Sequence, residues 1–281
     1  MQGDALTLVG IYRRTVRASL ERIWENVLDW ERLPWLHRRV FCSVQLLDQT
    51  ADSWRAQVSL APAEKGQESI IEVRLERPTL HYSTKTISGT GAGTEILTYL
   101  EPVEERLTRI YVEFRSPGIA PHQTASANAV FTRIYTLLWN EDEAMMVRRQ
   151  AVLDEENAQS AGPARRIHPR EETPVPLGSV ATLRGRLPCL VSVHGRTFRI
   201  LEIDGTLVAH ATVCPHRGGP LEEAPVIDGC VTCPWHGYRY EVRTGMSLGG
   251  RPLRLATAPS VLVDHRTQEA FLIFPSPPRR S

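Results

Sequence analysis

The sequence predicts an α+β domain over residues 1–155, a linker over 156–177 and a small all-β domain over 178–281. Three observations carry this. From Leu6 to about Leu153 the pattern runs strand, helix, several strands and a final long helix, with alternation clear in Ser69 to Leu75 and Arg109 to Phe114. Between Glu155 and about Leu177 the periodicity stops, and Ala, Gly, Pro and charged residues take over, as in Gly162-Pro163 and Pro174-Val175-Pro176. The remainder reads as short strands joined by turns. A chain of 281 residues, 42% hydrophobic, is long enough to bury two cores.

The first helix begins after Ser19, a good N-cap, and carries Leu20, Ile23, Trp24, Val27 and Leu28 at helical spacing until Pro34 marks its exit. The closing helix of the first domain contains Phe131, Ile134, Leu138 and Met145. In the second domain Phe198 to Ile203, then Asp204-Gly205, then Leu207 to Ala209 give a strong hairpin signal. No repeat at a fixed period is present.

Charge and composition exclude several partners. A formal net charge of +1 gives no reason to expect nucleic acid or an anionic membrane. The N-terminus, Met-Gln-Gly-Asp-Ala-Leu-Thr-Leu-Val-Gly, has no basic stretch before an apolar run, and no segment approaches a membrane span, so a cytoplasmic protein is expected. Five cysteines, an odd and small number, do not suggest a disulfide framework. Of these, Cys189 and Cys230 sit in strand-like apolar context and read as small core residues.

The chemistry concentrates in Cys214-Pro215-His216-Arg217-Gly218-Gly219-Pro220-Leu221 and Cys233-Pro234-Trp235-His236-Gly237, with sixteen residues between His216 and Cys233. Each half supplies one thiolate and one imidazole. Two thiolates on one iron and two imidazoles on the other are what a Rieske 2Fe-2S centre requires. The glycines allow tight turns that bring backbone amides near the sulfurs. Two Cys and two His also satisfy tetrahedral zinc, but the flanking prolines and glycines are not needed for it.

Over about 100 residues this region resembles the Rieske family. The high-potential respiratory members have an additional cysteine pair bridging the two loops; Gly219 and Trp235 stand there in this chain, and Tyr238 replaces their hydroxyl-donating serine. Fewer hydrogen bonds to the cluster sulfurs imply a potential on the order of −150 mV, raised slightly if Tyr240 contributes one. The likeness is to the oxygenase and ferredoxin branch.

The stretch from Trp24 to His37 resembles two relatives that share one fold: START-like (helix-grip) proteins, which bind hydrophobic ligands between a curved sheet and a long C-terminal helix, and the iron-binding segment of Rieske non-heme iron oxygenases. In those oxygenases an Asp precedes two histidines, three and eight residues later, and a carboxylate on the last helix completes a facial triad. Carried over, Asp29 takes the place of the aspartate linking the two metal centres, His37 that of the second histidine, and Asp142, within Glu141 to Gln150, that of the carboxylate. Arg32 stands in the first histidine's place, and a guanidinium offers no lone pair. A triad with mononuclear Fe(II) therefore needs another histidine, such as His81 or His122. The alternative for Asp142 is an ion pair with Arg32 or Arg149.

Two functions follow from these resemblances. One is an oxygenase-like oxidoreductase: a reductase or ferredoxin supplies electrons, the cluster relays them, and iron beside a small apolar substrate, in a cavity lined by residues such as Trp24, Tyr99 and Phe131, activates oxygen. The other is an electron carrier whose START-like domain binds a hydrophobic ligand and holds no mononuclear iron. The oxygenases are ring-shaped trimers, which implies a homo-oligomer. They also place the Rieske domain first, the reverse of the order here.

Overall fold

A computed structural model describes residues 6–61, 68–161 and 173–275. Met1–Ala5 of the N-terminal stretch and the Gly162-Pro163 pair of the expected linker lie outside them. The chain divides into two compact units, Met1–Ala151 and Val152–Ser281.

The first unit is built on strand β1 (Thr7–Val16), helix α1 (Leu20–Val27), a 3-10 turn over Trp30–Arg32, the single turn α2 (Leu33–Leu36), strands β2 (Phe41–Gln49), β3 (Ser53–Leu60), β4 (Glu68–Glu76), β5 (His81–Gly89), β6 (Glu95–Glu104) and β7 (Leu107–Ser116), and most of the long helix α3 (Thr124–Ala161), whose residues from Val152 on fall in the second unit. The strands make one antiparallel sheet in the order β1-β7-β6-β5-β4-β3-β2. It is a meander closed at one side by the first strand. Ser19 caps α1 as its sequence position predicts, its hydroxyl accepting from the Arg22 amide.

Helix α3 grips one face of this sheet. Tyr12, Ile110, Val112 and Phe114 share a core with Phe131, Tyr135, Trp139 and Met146 of the helix. Phe114 stacks on Phe131 with centroids 4.9 Å apart, and Tyr135 meets Phe114 edge-on at 4.9 Å. Such pairs add to the area they bury, roughly 0.5–1.5 kcal/mol each.

Alternation along the strands decides which side chains reach that interior, and it corrects one expectation. On β6, Thr98 and Leu100 are buried, so Tyr99 points to the other face. There it lies between His81 and Tyr111, its direct partners in register, at 5.5 and 5.9 Å. Tyr99 therefore does not line the space under α3, whereas Trp24 and Phe131 join the core.

The helix also runs further than its apolar pattern suggests, to Ala161, and a strand already begins at Val175. The linker expected over 156–177 is thus occupied by regular structure at both ends.

The second unit comprises β8 (Val175–Ser179), the short helix α4 (Val180–Arg184), β9 (Cys189–Val193), β10 (Arg196–Ile203), β11 (Thr206–Ala211), β12 (Val226–Ile227), β13 (Cys230–Thr232), β14 (Arg239–Glu241), β15 (Ser260–Asp264) and β16 (Glu269–Ile273). Three small sheets result, in the orders β11-β10-β9, β12-β13-β14 and β15-β16-β8. The Asp204-Gly205 turn has φ of 50° and 73°, the paired positive values that match the twist of a two-residue hairpin. The whole chain is α+β: a helix-grip-like unit followed by a small all-β one.

Candidate metal centres

Two loops of the second unit carry the four ligands expected from the sequence, and both close in the same way. The Cys214 amide donates to the Gly219 carbonyl and the Gly218 amide to the Cys214 carbonyl, each at 2.9 Å. In the other loop the pattern repeats: the Cys233 amide donates to the Tyr238 carbonyl and the Gly237 amide to the Cys233 carbonyl, again at 2.9 Å. Gly218 and Gly237 have φ of 77° and 70°, values that a side chain would strain.

These turns bring the ligands together. The His216 and His236 rings lie 4.6 Å apart and nearly perpendicular. The Cys214 and Cys233 thiols are in hydrogen-bond contact, and backbone amides point at both sulfurs, that of His216 at Cys214 and those of Trp235 and His236 at Cys233. Cys214 is pushed down from the ordinary thiol range, first by the hydrogen bond from Cys233 and then by that from Tyr240; Cys233, holding its proton against Cys214 in a buried site, is pushed up.

The donor set fits a Rieske cluster. Two sulfurs lie together, two imidazoles lie together, and all four belong to two matched loops. A Cβ added at Gly219 would sit 2.5 Å from Cys233 Sγ, so the first loop's main chain packs directly against the second loop's sulfur. Gly219 is therefore required by close approach. Among the described residues no three His, Cys, Asp or Glu side chains converge on a single ion.

Tyr240 adds a feature that the sequence only hinted at. Its hydroxyl lies 3.2 Å from Cys214 Sγ and the residue is fully buried, while the Tyr238 ring lies tilted against the His216 ring with centroids 4.5 Å apart. Burial and the contact with Cys214 both push the Tyr240 hydroxyl up, so it stays protonated and donates to the sulfur. Tyr240→Phe removes that donor. We expect its midpoint potential, read in an EPR-monitored redox titration, to fall by about 50 mV, equivalent to a hydrogen bond roughly 1 kcal/mol stronger in the reduced state.

The residues carried over to a mononuclear site also meet, but with a different partner. Asp142 is buried on α3, 7% exposed, and Arg32 donates to both its oxygens, from Nε at 3.0 Å and from a terminal nitrogen at 3.4 Å. Arg32 also donates to the Asp29 carbonyl at 2.6 Å. His37 is 1% exposed, with Nδ1 2.7 Å from Glu141 Oε2 and Nε2 3.0 Å from Asp142 Oδ1.

Both oxygens of Asp142 already accept from Arg32, and both nitrogens of His37 face carboxylates. Of the substitutes, His81 stacks on Tyr99 and contacts Thr79 on the outer face of the sheet, and His122 is exposed in the turn before α3. Arg149 faces Glu25 at 3.6 Å instead of Asp142. His37 and Asp142 thus lie together, 3.0 Å apart, but with Arg32 standing in the sequence where the resemblance calls for a histidine, so the residues present do not make up a facial triad. Asp29 is buried next to Arg32, at the exit of α1.

Comparison with known proteins agrees with the second unit. Residues 173–258 match the Rieske [2Fe-2S] domain family. Among solved structures, the ferredoxin of carbazole 1,9a-dioxygenase from Nocardioides aromaticivorans IC177 is similar over 36% of this chain and 98% of its own, at 23% identity and a TM-score of 0.32. An aromatase/cyclase from Streptomyces sp. R1128 is similar over 52% of this chain and 96% of its own, at 11% identity and a TM-score of 0.42. Norcoclaurine synthase from Thalictrum flavum covers 52% and 88%, at 13% identity and a TM-score of 0.39. Among the described residues no helix is long and apolar enough to cross a membrane.

Proposed function

We propose that this chain is a one-electron carrier, with a Rieske cluster held by Cys214, His216, Cys233 and His236 and with no mononuclear iron in its first unit. The cluster, when bound, supplies reversible one-electron transfer. The chain's own residues set its surroundings: matched loops hold the four ligands, backbone amides and the Tyr240 hydroxyl donate to the sulfurs, and Gly219 allows the loops to close. The electron donor is a reductase or another ferredoxin, and the protein works in a reducing, cytoplasmic compartment.

The observation that carries this reading over an oxygenase is the Arg32–Asp142 pair with His37 held between Glu141 and Asp142. A guanidinium cannot ligate a metal, and it neutralises the carboxylate that would. The first unit then acts as a helix-grip scaffold. Phe114, Phe131 and Tyr135 fill the space between α3 and the sheet where relatives of this fold hold an apolar ligand, so a small apolar ligand would have to displace their stacked rings.

Iron and acid-labile sulfide per chain, measured on anaerobically purified protein, test the proposal. We expect two irons and two sulfides, since the described ligands provide for one binuclear centre. Three irons with two sulfides would overturn it and restore the oxygenase reading.

A further inference from the structure

Strand β14 continues into a layer of irregular, paired backbone. The Leu248 amide donates to the Arg239 carbonyl at 2.8 Å and the Glu241 amide to that of Met246 at 2.9 Å; on the other side Ser247 donates to the Leu253 carbonyl and Leu255 to that of Gly245. Tyr240 stands opposite Ser247, and Met246 opposite Arg254. Side chains alternate between the faces of such a layer. Tyr240 and Val242 are buried, and the Tyr240 hydroxyl touches Cys214 Sγ, so this face turns toward the cluster. Arg239, Met246, Leu248 and Arg254 take the opposite face and are all exposed, Met246 at 45% and Leu248 at 47%.

The charge on that outer face is one-sided. Among the described residues neither Arg239 nor Arg254 has an ion-pair partner. Glu241, the carboxylate on the same face, is half-buried and accepts from the Thr244 hydroxyl at 2.6 Å. Residues 239–254 contain four arginines and one glutamate, a local charge of +3 in a chain whose total is +1. The other two arginines lie elsewhere on the layer. Arg243 donates to the Ile203 carbonyl at 2.9 Å and lies 3.8 Å from Asp204, and Arg251 places a terminal nitrogen 3.4 Å from Nε2 of the ligand His216.

Adjacent exposed apolar side chains rimmed by polar ones mark a contact surface, and unpaired guanidinium groups beside them select carboxylates. We propose that this face is the docking site for the electron-transfer partner, a redox protein that presents carboxylates to Arg239 and Arg254 around an apolar contact with Met246 and Leu248. The proposal rests on the carrier reading above and gives that partner its surface chemistry. A partner seated here is one strand layer away from Cys214 Sγ, and Tyr240 of that layer reaches the sulfur.

Stopped-flow oxidation of the reduced, cluster-loaded, full-length protein by ferric cytochrome c and by its succinylated form tests this. The ferric haem accepts the one electron that the cluster gives up. Succinylation turns surface lysines into carboxylates, so the two oxidants present faces of opposite charge. The rate with the succinylated form is expected to fall as salt is added, and the rate with the basic form to rise. A net charge of +1 gives little of either slope by itself. Arg239→Glu combined with Arg254→Glu should slow oxidation by the succinylated form at least roughly tenfold at low salt and leave the EPR spectrum and the iron content as they were. Equal salt slopes for the two oxidants, or an unchanged rate in the double variant, would overturn the docking site, whereas the carrier reading stands or falls on iron and sulfide content. If the double variant loses its cluster, the slopes of the natural protein and Arg254→Gln decide the matter, the latter expected to slow the succinylated form about threefold.

Discussion

Cys233→Ala and His236→Ala each yield a protein without visible colour, without acid-labile sulfide and without an EPR signal after reduction. The reason is the pairing of ligands. One iron depends on the two thiolates and the other on the two imidazoles, so a single loss leaves that iron with one protein ligand. Neither position has a substitute. Cys230, the nearest cysteine in sequence to Cys233, is bonded through its thiol to the Asp228 carbonyl in a separate turn, and Cys189 lies in β9 against the other core of the unit. Binding that requires a preformed ligand set is coupled to folding, so we also expect the two loops to lose protection from hydrogen exchange. The amides of Gly218 and Gly237, which close those loops, are the ones to follow. A coloured His236→Ala protein with sulfide still bound would remove that residue from the ligand set.

Gly219→Ala separates the packing of the loops from their donor chemistry, because all four ligands remain while a methyl group is forced against Cys233 Sγ. This contact explains a feature of the sequence that the ligand spacing alone does not. The cysteines and histidines could be read directly, since each is a residue type that the chemistry demands, and the Asp-Gly hairpin could be read because two successive positive φ values favour that pair. The role of Gly219 depends on which loop lies over which sulfur, and that is a long-range property.

The first domain shows the same division. Ser19 and the apolar spacing of α1 are local signals, and both appear in the structure, although α1 already ends at Val27 and Pro34, read as its exit, stands in the first turn of α2 instead. Whether Tyr99 faces the helix depends on the phase of β6, which a short stretch with mixed polarity does not reveal. Arg32 was visible as a departure from the oxygenase pattern, but its sequence could not show whether it turns away from Asp142 or onto it. The partner lies 110 residues away and is chosen by how α3 crosses the exit of α1.

Arg32→Leu and Asp142→Ala should be the most destabilising single changes in the first unit, about 3–5 kcal/mol each, because either one leaves a buried charge without its partner. The double variant should cost less than the sum of the two, since the pair's desolvation is then removed together with its attraction. Urea denaturation followed by tryptophan fluorescence reads this unit, which holds five of the six tryptophans. The pair also carries a pH dependence whose sign is fixed. Burial alone would raise Asp142, but the charge of Arg32 and then His37 hold it well below the usual carboxylate range. A carboxylate lowered in the folded state adds stability that is complete above its unfolded value, near 4, and is lost as pH falls toward the folded one. The natural protein should therefore lose stability steadily below about pH 4, and Asp142→Asn should flatten that part of the curve. An unchanged acid limb in Asp142→Asn, or additive losses in the double variant, would mean that Arg32 and Asp142 do not act as a pair. The carboxylate would then again be available to a metal.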